Sequence, residues 1–231
     1  ATPAAIAGHI CSAAGIHGPS ITLGASGVAT SVALSVAEDL AASTGVRRVI
    51  VLAGDEMTDS ISAAVRSNFG AVQGGMTAAM LSFENCPTQD RRWELVRAGT
   101  TRVAYDLSDP WTQSSAEQVA AVSRLLSDAS IEARLITDIV IATPQISRAA
   151  VAGKFGADVV RMVHPVDGHP CNIGDAGLLA LRAALVDSAV TRDERLWLVL
   201  EAGPLGAFGY AVYRLNPRVE PNAKLTAADN T

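Results

Sequence analysis

The sequence predicts an α/β fold built in layers, with helices packed on a mostly parallel sheet and with two similar halves. Segments with strand patterns alternate with segments of helical spacing, an order typical of parallel sheets covered by helices. Several predicted strands are continuous apolar runs, as in strands buried on both faces. The 231 residues are 49% hydrophobic but only 4% aromatic. Small aliphatic side chains would therefore fill the core between the layers.

The first half is predicted to span residues 1–109. Helices are indicated by apolar residues at three-to-four spacing, and strands by short apolar runs between glycine or polar breaks. Its predicted elements are a helix at 3–16, a short strand at 20–25, an Ala- and Leu-rich helix at 27–43, a strand buried on both faces at 47–56, a polar loop at 58–70, a central strand at 74–84 and a more charged edge strand at 92–107.

The second half is predicted to span residues 110–231, with a polar tail from 217. Its first helix has a serine cap with an acidic residue in the first turn. The predicted elements are helices at 114–130, 147–156 and 174–190, strands at 136–144 and 158–165, and two closing strands at 195–203 and 208–215 joined by a hairpin. Each half places a helix rich in glycine or alanine before a buried strand and a glycine corner, which predicts a duplicated fold.

Composition excludes several classes of function. A net charge of −5 without a basic run argues against a nucleic-acid partner. Cys11, Cys86 and Cys171 are odd in number and far apart, which is typical of reduced thiols rather than a disulfide framework. The four histidines lack metal-ligand spacing, and the apolar runs are too short to span a bilayer. With no signal peptide visible, we predict a cytoplasmic protein with no metal, cofactor or membrane contact.

The stretch "GIHGPSITLGASGVATSVALSVAEDL", from Gly15 to Leu40, combines a turn, a short predicted strand, a sharp corner and a helix. Many enzymes hold a nucleophile where a strand turns tightly into a helix N-terminus. Here the corner reads Ala25-Ser26-Gly27, without a cysteine. The question is whether this corner is an active site or the remains of one.

Five segments resemble the β-ketoacyl synthases of the thiolase superfamily. They are "IAGHICSAAGIHGPSITL" before the corner, the predicted strands "RRVIVLAGDE" and "GGMTAAMLSFE", the helix start "CNIGDAGLLALRAAL" and the closing hairpin "GPLGAFGYAVYRL". The resemblance implies a thiolase-like, layered α-β-α-β-α fold with two similar halves. Family members open with a further strand, helix and strand, so it also implies a shortened N-terminal half.

The resemblance places Gly27 where the family has its nucleophilic cysteine, and glycine has no side chain to accept an acyl group. Ser26 is a substitute nucleophile or, more simply, a helix cap. Where the family has its first histidine, residues 143–145 read Thr-Pro-Gln. Asn172 falls at the second polar position, as a site residue or a cap, with His169 as the alternative. A condensation needs the thiolate together with the groups that polarise the thioester, so we expect none from this chain alone.

Because it lacks this cysteine, the chain most resembles one member of the family, the chain-length factor. This is the ketosynthase-like subunit of type II polyketide synthases. This resemblance implies a heterodimer with an active ketosynthase and, through that complex, work on an acyl carrier protein. The chain would shape the tunnel for the growing acyl chain. Candidate tunnel or interface residues are Ala29, Thr30, Met57, Phe69 and Met76. The last three are equally well explained as ordinary core.

Two other functions stay open. The chain could be a stand-alone thiolase-fold acyl-thioester hydrolase or acyltransferase that uses Ser26 or Cys171. Cys171 lies close to His169 in the sequence, although a lone cysteine beside a helix start is usually a small buried residue. The chain could also be a scaffold that recruits the acidic carrier protein. Its small number of basic residues, such as Arg91 and Arg92 with Arg97 and Arg102, weakens this last function.

Overall fold

A computed structural model describes residues 3–18, 20–23, 27–43, 46–57, 75–84, 93–109, 112–143, 145–162, 177–178 and 195–215. The helices are α1 (Pro3–Ala13), α2 (Ala29–Ser43), α3 (Ser115–Asp128) and α4 (Arg148–Phe155). The strands are β1 (Arg48–Met57), β2 (Gly75–Glu84), β3 (Trp93–Arg102), β4 (Ile136–Ile141), β5 (Val160–Met162), β6 (Arg195–Ala202) and β7 (Ala207–Leu215).

Five of the described strands form the central sheet, in the order β3-β7-β6-β4-β5. Strand β4 runs parallel to β5 and β6, whereas β7 is antiparallel to β6 and β3. The sheet is therefore mixed, and the prediction of a mostly parallel sheet was wrong for the β6–β7–β3 side. A short connection between β6 and β7 explains this, because two adjacent strands joined by a tight turn must run in opposite directions.

Helices cover both faces of this sheet, so the described core has three layers. Side chains of β6 alternate between the faces: Leu198 and Leu200 join a cluster with α3 and α4, whereas Trp197 and Val199 join a cluster with α2. All four are buried. Because both faces of β6 are covered, its sequence "RLWLVLEA" is a near-continuous apolar run.

The predicted edge strand at 92–107 is confirmed, because β3 lies at one end of the sheet and pairs with β7. Predicted caps are confirmed as well. Ser114 accepts a hydrogen bond from the N–H of Glu117 at the start of α3, and α4 ends at Gly156, whose φ is +100°. Glycine takes this left-handed conformation without the strain of a Cβ.

Strands β1 and β2 form a separate two-stranded antiparallel sheet. The prediction that β1 is buried on both faces was wrong. Val51 packs into the cluster beside α2, but Ile50 and Leu52, on the opposite face, are exposed. Strand β2 was predicted as a central strand, and within the described residues it pairs with β1 alone.

The predicted strand at 20–25 was also wrong for its described part. Residues 20–23 belong to no strand, and all four are exposed. An isolated extended segment has no ladder partner to hold it, so β-propensity alone does not make a strand. The predicted loop at 58–70, most of the helix at 174–190 and the tail from 217 lie outside the described residues, and the division of the chain at residue 109 stays a prediction.

Candidate functional site

Gly27 forms the corner immediately before α2, with a left-handed φ of +73°. A Cβ at this position would overlap the Cα of Gly203 and would lie 3.1 Å from the carbonyl oxygen of Ala202. Backbone atoms cannot swing aside as the end of a flexible side chain can. The corner therefore accepts glycine, and any larger residue requires the β6–β7 connection to move.

The first turn of α2 packs on the sheet through further glycines. A Cβ at Gly209 of β7 would lie 2.6 Å from the Oγ of Ser31. A Cβ at Gly177 would overlap the carboxyl group of Glu201 and lie 2.9 Å from the Cβ of Thr30. Thr30 and Ser31 are both buried. This close approach fixes the helix start against β6 and β7.

Glu201 is a buried carboxylic acid at the end of the apolar run of β6, and it is only 1% exposed. Its Oε2 accepts a hydrogen bond from the backbone N–H of Ser31 at 2.9 Å and another from the Ser31 hydroxyl at 2.6 Å. Ser31 is the third residue of α2, so its N–H has no acceptor within the helix. The carboxyl group from β6 therefore caps α2.

The Glu201 carboxyl group is subject to opposing influences. Burial raises its pKa above the ordinary range, and the two hydrogen bonds from Ser31 act against that rise, as do the nearby polar groups of Thr30 and Gly177. Burial has the larger effect. Within the described residues, the second carboxyl oxygen and the Thr30 hydroxyl, both buried, make no hydrogen bond of good geometry. A protonated carboxyl group would give Thr30 a donor.

The loop after β4 lies beside the end of β6, on the side opposite to β7. The backbone N–H of Ala202 donates to the Oγ1 of Thr143 at 2.8 Å, and the N–H of Ala142 donates to the carbonyl oxygen of Leu200. Thr143 is buried. Where the resemblance places the family's first histidine, this chain thus has a threonine that holds the end of β6.

Two buried glutamines connect this loop to the turn between β6 and β7. The amide nitrogen of Gln113 donates to the carbonyl oxygen of Gly203 at 2.7 Å and to that of Ala207 at 3.0 Å. Gln118 of α3 donates to the Gln113 side chain and to the carbonyl oxygen of Gln145, and it accepts from the N–H of Ser147. We call this pair, Gln113 and Gln118, the glutamine relay. It holds the turn that closes on Gly27.

The structure places few of the predicted site residues together. Gly27 and Thr30 meet the ends of β6 and β7 as described, and Ala29 is half-buried at the start of α2. Met57 of β1 pairs with Gly75, and Met76 of β2 pairs with Glu56, so the two methionines lie at adjacent positions of this sheet. Their side chains are not described. Ser26, Phe69, His169, Cys171 and Asn172 lie outside the described residues.

Sequence reasoning missed Glu201 and the glutamine relay. A signal for Glu201 was present, since a single acidic residue interrupts the apolar run "LWLVLEAG". An acid inside a buried strand must find a hydrogen-bond partner. That partner, Ser31, is 170 residues away, so the sequence pattern alone does not identify it.

Chemically, the contacts among the described residues of this region stabilise the corner before α2. Residue 27 has no side chain, and hydrogen bonds across elements join Ser31 to Glu201 and Thr143 to the N–H of Ala202. Among the residues that the structure describes, no group of three His, Cys, Asp or Glu side chains gathers to hold a metal ion. The described helices are also too short or too polar to cross a membrane.

Comparison with protein-family models found no match, and comparison with curated proteins found none either. Solved structures do match. The ishigamide ketosynthase/chain length factor superposes with a TM-score of 0.65 at 18% identity, covering 91% of this chain and 61% of that chain. The ketosynthase from module 6 of the bacillaene synthase from Bacillus subtilis 168 superposes with a TM-score of 0.70 at 13% identity, covering 99% and 51%.

A third structure, AntDE:AntF, is a type II PKS acyl-carrier protein in complex with its ketosynthase. It superposes with a TM-score of 0.61 at 12% identity, covering 90% of this chain and 66% of that one. This chain therefore spans about half to two thirds of the length of these three neighbours. At these identities the likeness concerns the fold. The chain has the mixed α/β, thiolase-like fold of the ketosynthases.

Proposed function

We propose that this chain is a non-catalytic subunit, similar to a chain-length factor, that pairs with an active ketosynthase and shapes the tunnel for the growing acyl chain. One observation carries the proposal: the corner before α2 is a glycine with a φ of +73°, pressed against the backbone of Gly203. A chain without a nucleophile at this position depends on a partner for covalent catalysis.

The structural neighbours support a ketosynthase context for this proposal. One of them is a ketosynthase/chain length factor, and another is a type II PKS ketosynthase in complex with its acyl-carrier protein. We infer from these neighbours that the chain works on carrier-bound substrates and that the active subunit supplies most of the carrier-binding surface. The net charge of −5 is consistent with this division, because an acidic chain repels an acidic carrier protein.

Exposed apolar side chains support the presence of a partner. Ile21 and Leu23 lie on the unpaired segment before the corner, and Ile50 and Leu52 lie on the open face of β1. Ile21 is 51% exposed and Leu52 is 45% exposed. Exposed apolar patches of this kind are typical of interaction surfaces. In the proposed heterodimer, the ketosynthase covers them.

Ala29 is the residue that we propose for the tunnel wall at the start of α2. It is half-buried, whereas Thr30 beside it is buried against Gly177 and Glu201. A small side chain at residue 29 leaves space beside the corner, and a large one fills it. Thr30 contributes by fixing the helix start.

An acylation experiment tests this proposal. The chain is co-expressed with a candidate ketosynthase from the same gene neighbourhood. The complex is incubated with an acyl-carrier thioester, and the mass of each subunit is measured by intact-protein mass spectrometry. The acyl group should appear on the ketosynthase alone, and extended product should require both chains. A matched complex in which the ketosynthase cysteine is replaced by alanine should carry no acyl group on either chain.

The same experiment detects the alternative function. If the isolated chain acquires an acyl group or hydrolyses the thioester, it is an enzyme in its own right. Ser26→Ala and Cys171→Ala would then show which residue carries the acyl group. That outcome would overturn the non-catalytic role.

A further inference from the structure

The N-terminal turn of α2 is the part of this corner that would stabilise a negative charge. Backbone N–H groups without helical acceptors point out of a helix N-terminus, and the helix dipole adds a positive potential there. Both effects lower the pKa of a thiol placed at such a position and favour an oxyanion next to it. In this chain, one of those donors, the N–H of Ser31, is already bound to Glu201 at 2.9 Å.

We propose that Glu201 occupies the anion-stabilising end of α2 from within the protein, so that this corner would not support a thiolate or an oxyanion even if a nucleophile were supplied. This inference rests on the proposed function and deepens it. The loss of catalysis would lie in a buried carboxyl group as well as in the glycine at residue 27.

The surrounding packing prevents the carboxyl group from moving aside. A Cβ at Gly177 would overlap Oε1 of Glu201, so the helical residues 177–178 lie directly against the carboxyl group. On the opposite side, Ser31 is confined by Gly209, where an added Cβ would lie 2.6 Å from the Ser31 hydroxyl. Donor and acceptor are therefore both held in place by neighbouring backbone.

Both charge states of Glu201 have the same consequence. An ionised carboxylate opposes a second negative charge at the corner through Coulomb repulsion, which is strong in a buried site. A protonated carboxyl group still accepts the hydrogen bond of the Ser31 N–H and withholds it from another anion.

The other titratable groups described in this region supply no positive charge that would offset the Glu201 carboxylate. Tyr213 of β7 is buried, and burial together with the nearby Glu201 raises its pKa, so it is neutral at physiological pH. Glu38, two turns further along α2, is engaged by Arg97 at 2.9 Å and by the N–H of Ala98. Glu38 therefore contacts β3, two turns away from the N-terminus of α2.

The test introduces a thiol at the start of α2 and measures its pKa. Ala29→Cys places the thiol on the first helical residue, which is half-buried. Ser35→Cys places a matched thiol on a half-buried position in the middle of the same helix. Rates of iodoacetamide alkylation are measured between pH 6 and 10 and read at the level of individual peptides, so the three natural cysteines do not interfere. The full chain is used in the oligomeric state in which it is purified.

The Ala29→Cys thiol should titrate no lower than the Ser35→Cys thiol, at or above about 8.5. Adding Glu201→Leu removes the acceptor and puts an apolar side chain of similar size in its place. This change should lower the pKa of the thiol introduced by Ala29→Cys by about one unit. That shift corresponds to about tenfold more thiolate near neutral pH. Glu201→Gln is the matched control that keeps an acceptor for the Ser31 N–H. It should give a smaller decrease than Glu201→Leu.

A thiol pKa well below that of Ser35→Cys, with Glu201 intact, would overturn the inference. An unchanged pKa in the folded Glu201→Leu background would overturn it as well. If Glu201→Leu does not fold, the comparison of Ala29→Cys with Ser35→Cys still decides. The thiol pKa values and the formation of a complex with a ketosynthase are measured separately. Either result can contradict its own proposal without affecting the other, so the two outcomes are distinguishable.

Discussion

Gly27 and Gly203 are in direct contact, so closely that a Cβ on Gly27 would overlap the Cα of Gly203. One residue lies at the corner before α2, and the other follows β6 near the end of the chain. Their contact joins the corner, where the resemblance places the family's nucleophile, to the turn between β6 and β7. A side chain at residue 27 would therefore overlap the main chain of the β6–β7 turn.

Replacing Gly27 with alanine tests this contact. Gly27→Ala should destabilise the protein by about 3 kcal/mol, because it combines a left-handed φ with the overlap at Gly203. Urea unfolding monitored by circular dichroism measures the effect. Gly153→Ala is the matched control, since an added Cβ there meets nothing within 4 Å. In the exposed helix α4 it should be stabilising by about 0.5–1 kcal/mol. Equal effects of the two substitutions would contradict the contact.

Glu201 should make folding stability depend on pH. Burial raises its pKa above the usual 4.5, so the folded state favours the protonated carboxyl group. This contribution to stability is fully present below pH 4.5 and is lost as the pH rises through the raised pKa. Measured by urea unfolding between pH 4 and 8, the parent protein should lose stability relative to Glu201→Gln as the pH rises. Glu132→Gln removes an exposed carboxyl group and controls for net charge. A parent that gains stability over Glu201→Gln with rising pH would contradict this sign.

The glutamine relay should be essential for stability. Gln118 is 0% exposed and bonds to the Gln113 side chain and to the backbone of residues 145 and 147. Gln118→Leu leaves those three groups without their partner and should cost about 3 kcal/mol. Arg124→Gln, on the exposed side of the same helix, should stay within about 0.5 kcal/mol. If thermal melts of the two variants coincide, the relay has no structural role.

Residue 29 should influence product length if it lines the tunnel. Ala29→Trp fills the half-buried space at the start of α2, and the complex with the ketosynthase should then release a shorter acyl product. Mass spectrometry of the products measures this change. Ala42→Trp adds the same side chain at the exposed end of α2 and should leave product length unchanged. An unaltered product from Ala29→Trp would remove residue 29 from the tunnel wall.

The open face of β1 should contact the partner. Ile50→Ser combined with Leu52→Ser removes two exposed apolar side chains and should weaken the heterodimer at least tenfold, as measured by biolayer interferometry. Leu107→Ser is the control, because Leu107 is 86% exposed on a separate loop. Equal affinity in all three proteins would mean that the partner binds elsewhere.

Local patterns predicted the elements that depend on local chemistry. The serine cap of α3 and the glycine stop at residue 156 each act within four residues, and both are present. The exposed face of β1 was mispredicted, because an apolar run indicates burial without showing what covers it. The strand at 20–25 failed for a related reason: strand propensity does not supply a hydrogen-bonding neighbour.

Sequence reasoning named the corner at Gly27 but not the contacts that surround it. The resemblance identified Gly27 and the absence of a histidine near Thr143. The acceptor of the α2 N–H group lies 170 residues from Ser31, and the overlap at Gly203 is equally distant along the chain. Contacts of this kind depend on the tertiary fold, and one sequence contains no local signal for their partner.

The proposed function requires an active ketosynthase as the partner of this chain. Light scattering of the full chain tests this requirement, with the chain purified after co-expression with a candidate ketosynthase from the same gene neighbourhood and compared with the chain expressed alone. We expect a 1:1 complex and little soluble chain in the absence of the partner. A stable monomer or homodimer that turns over acyl thioesters would contradict it.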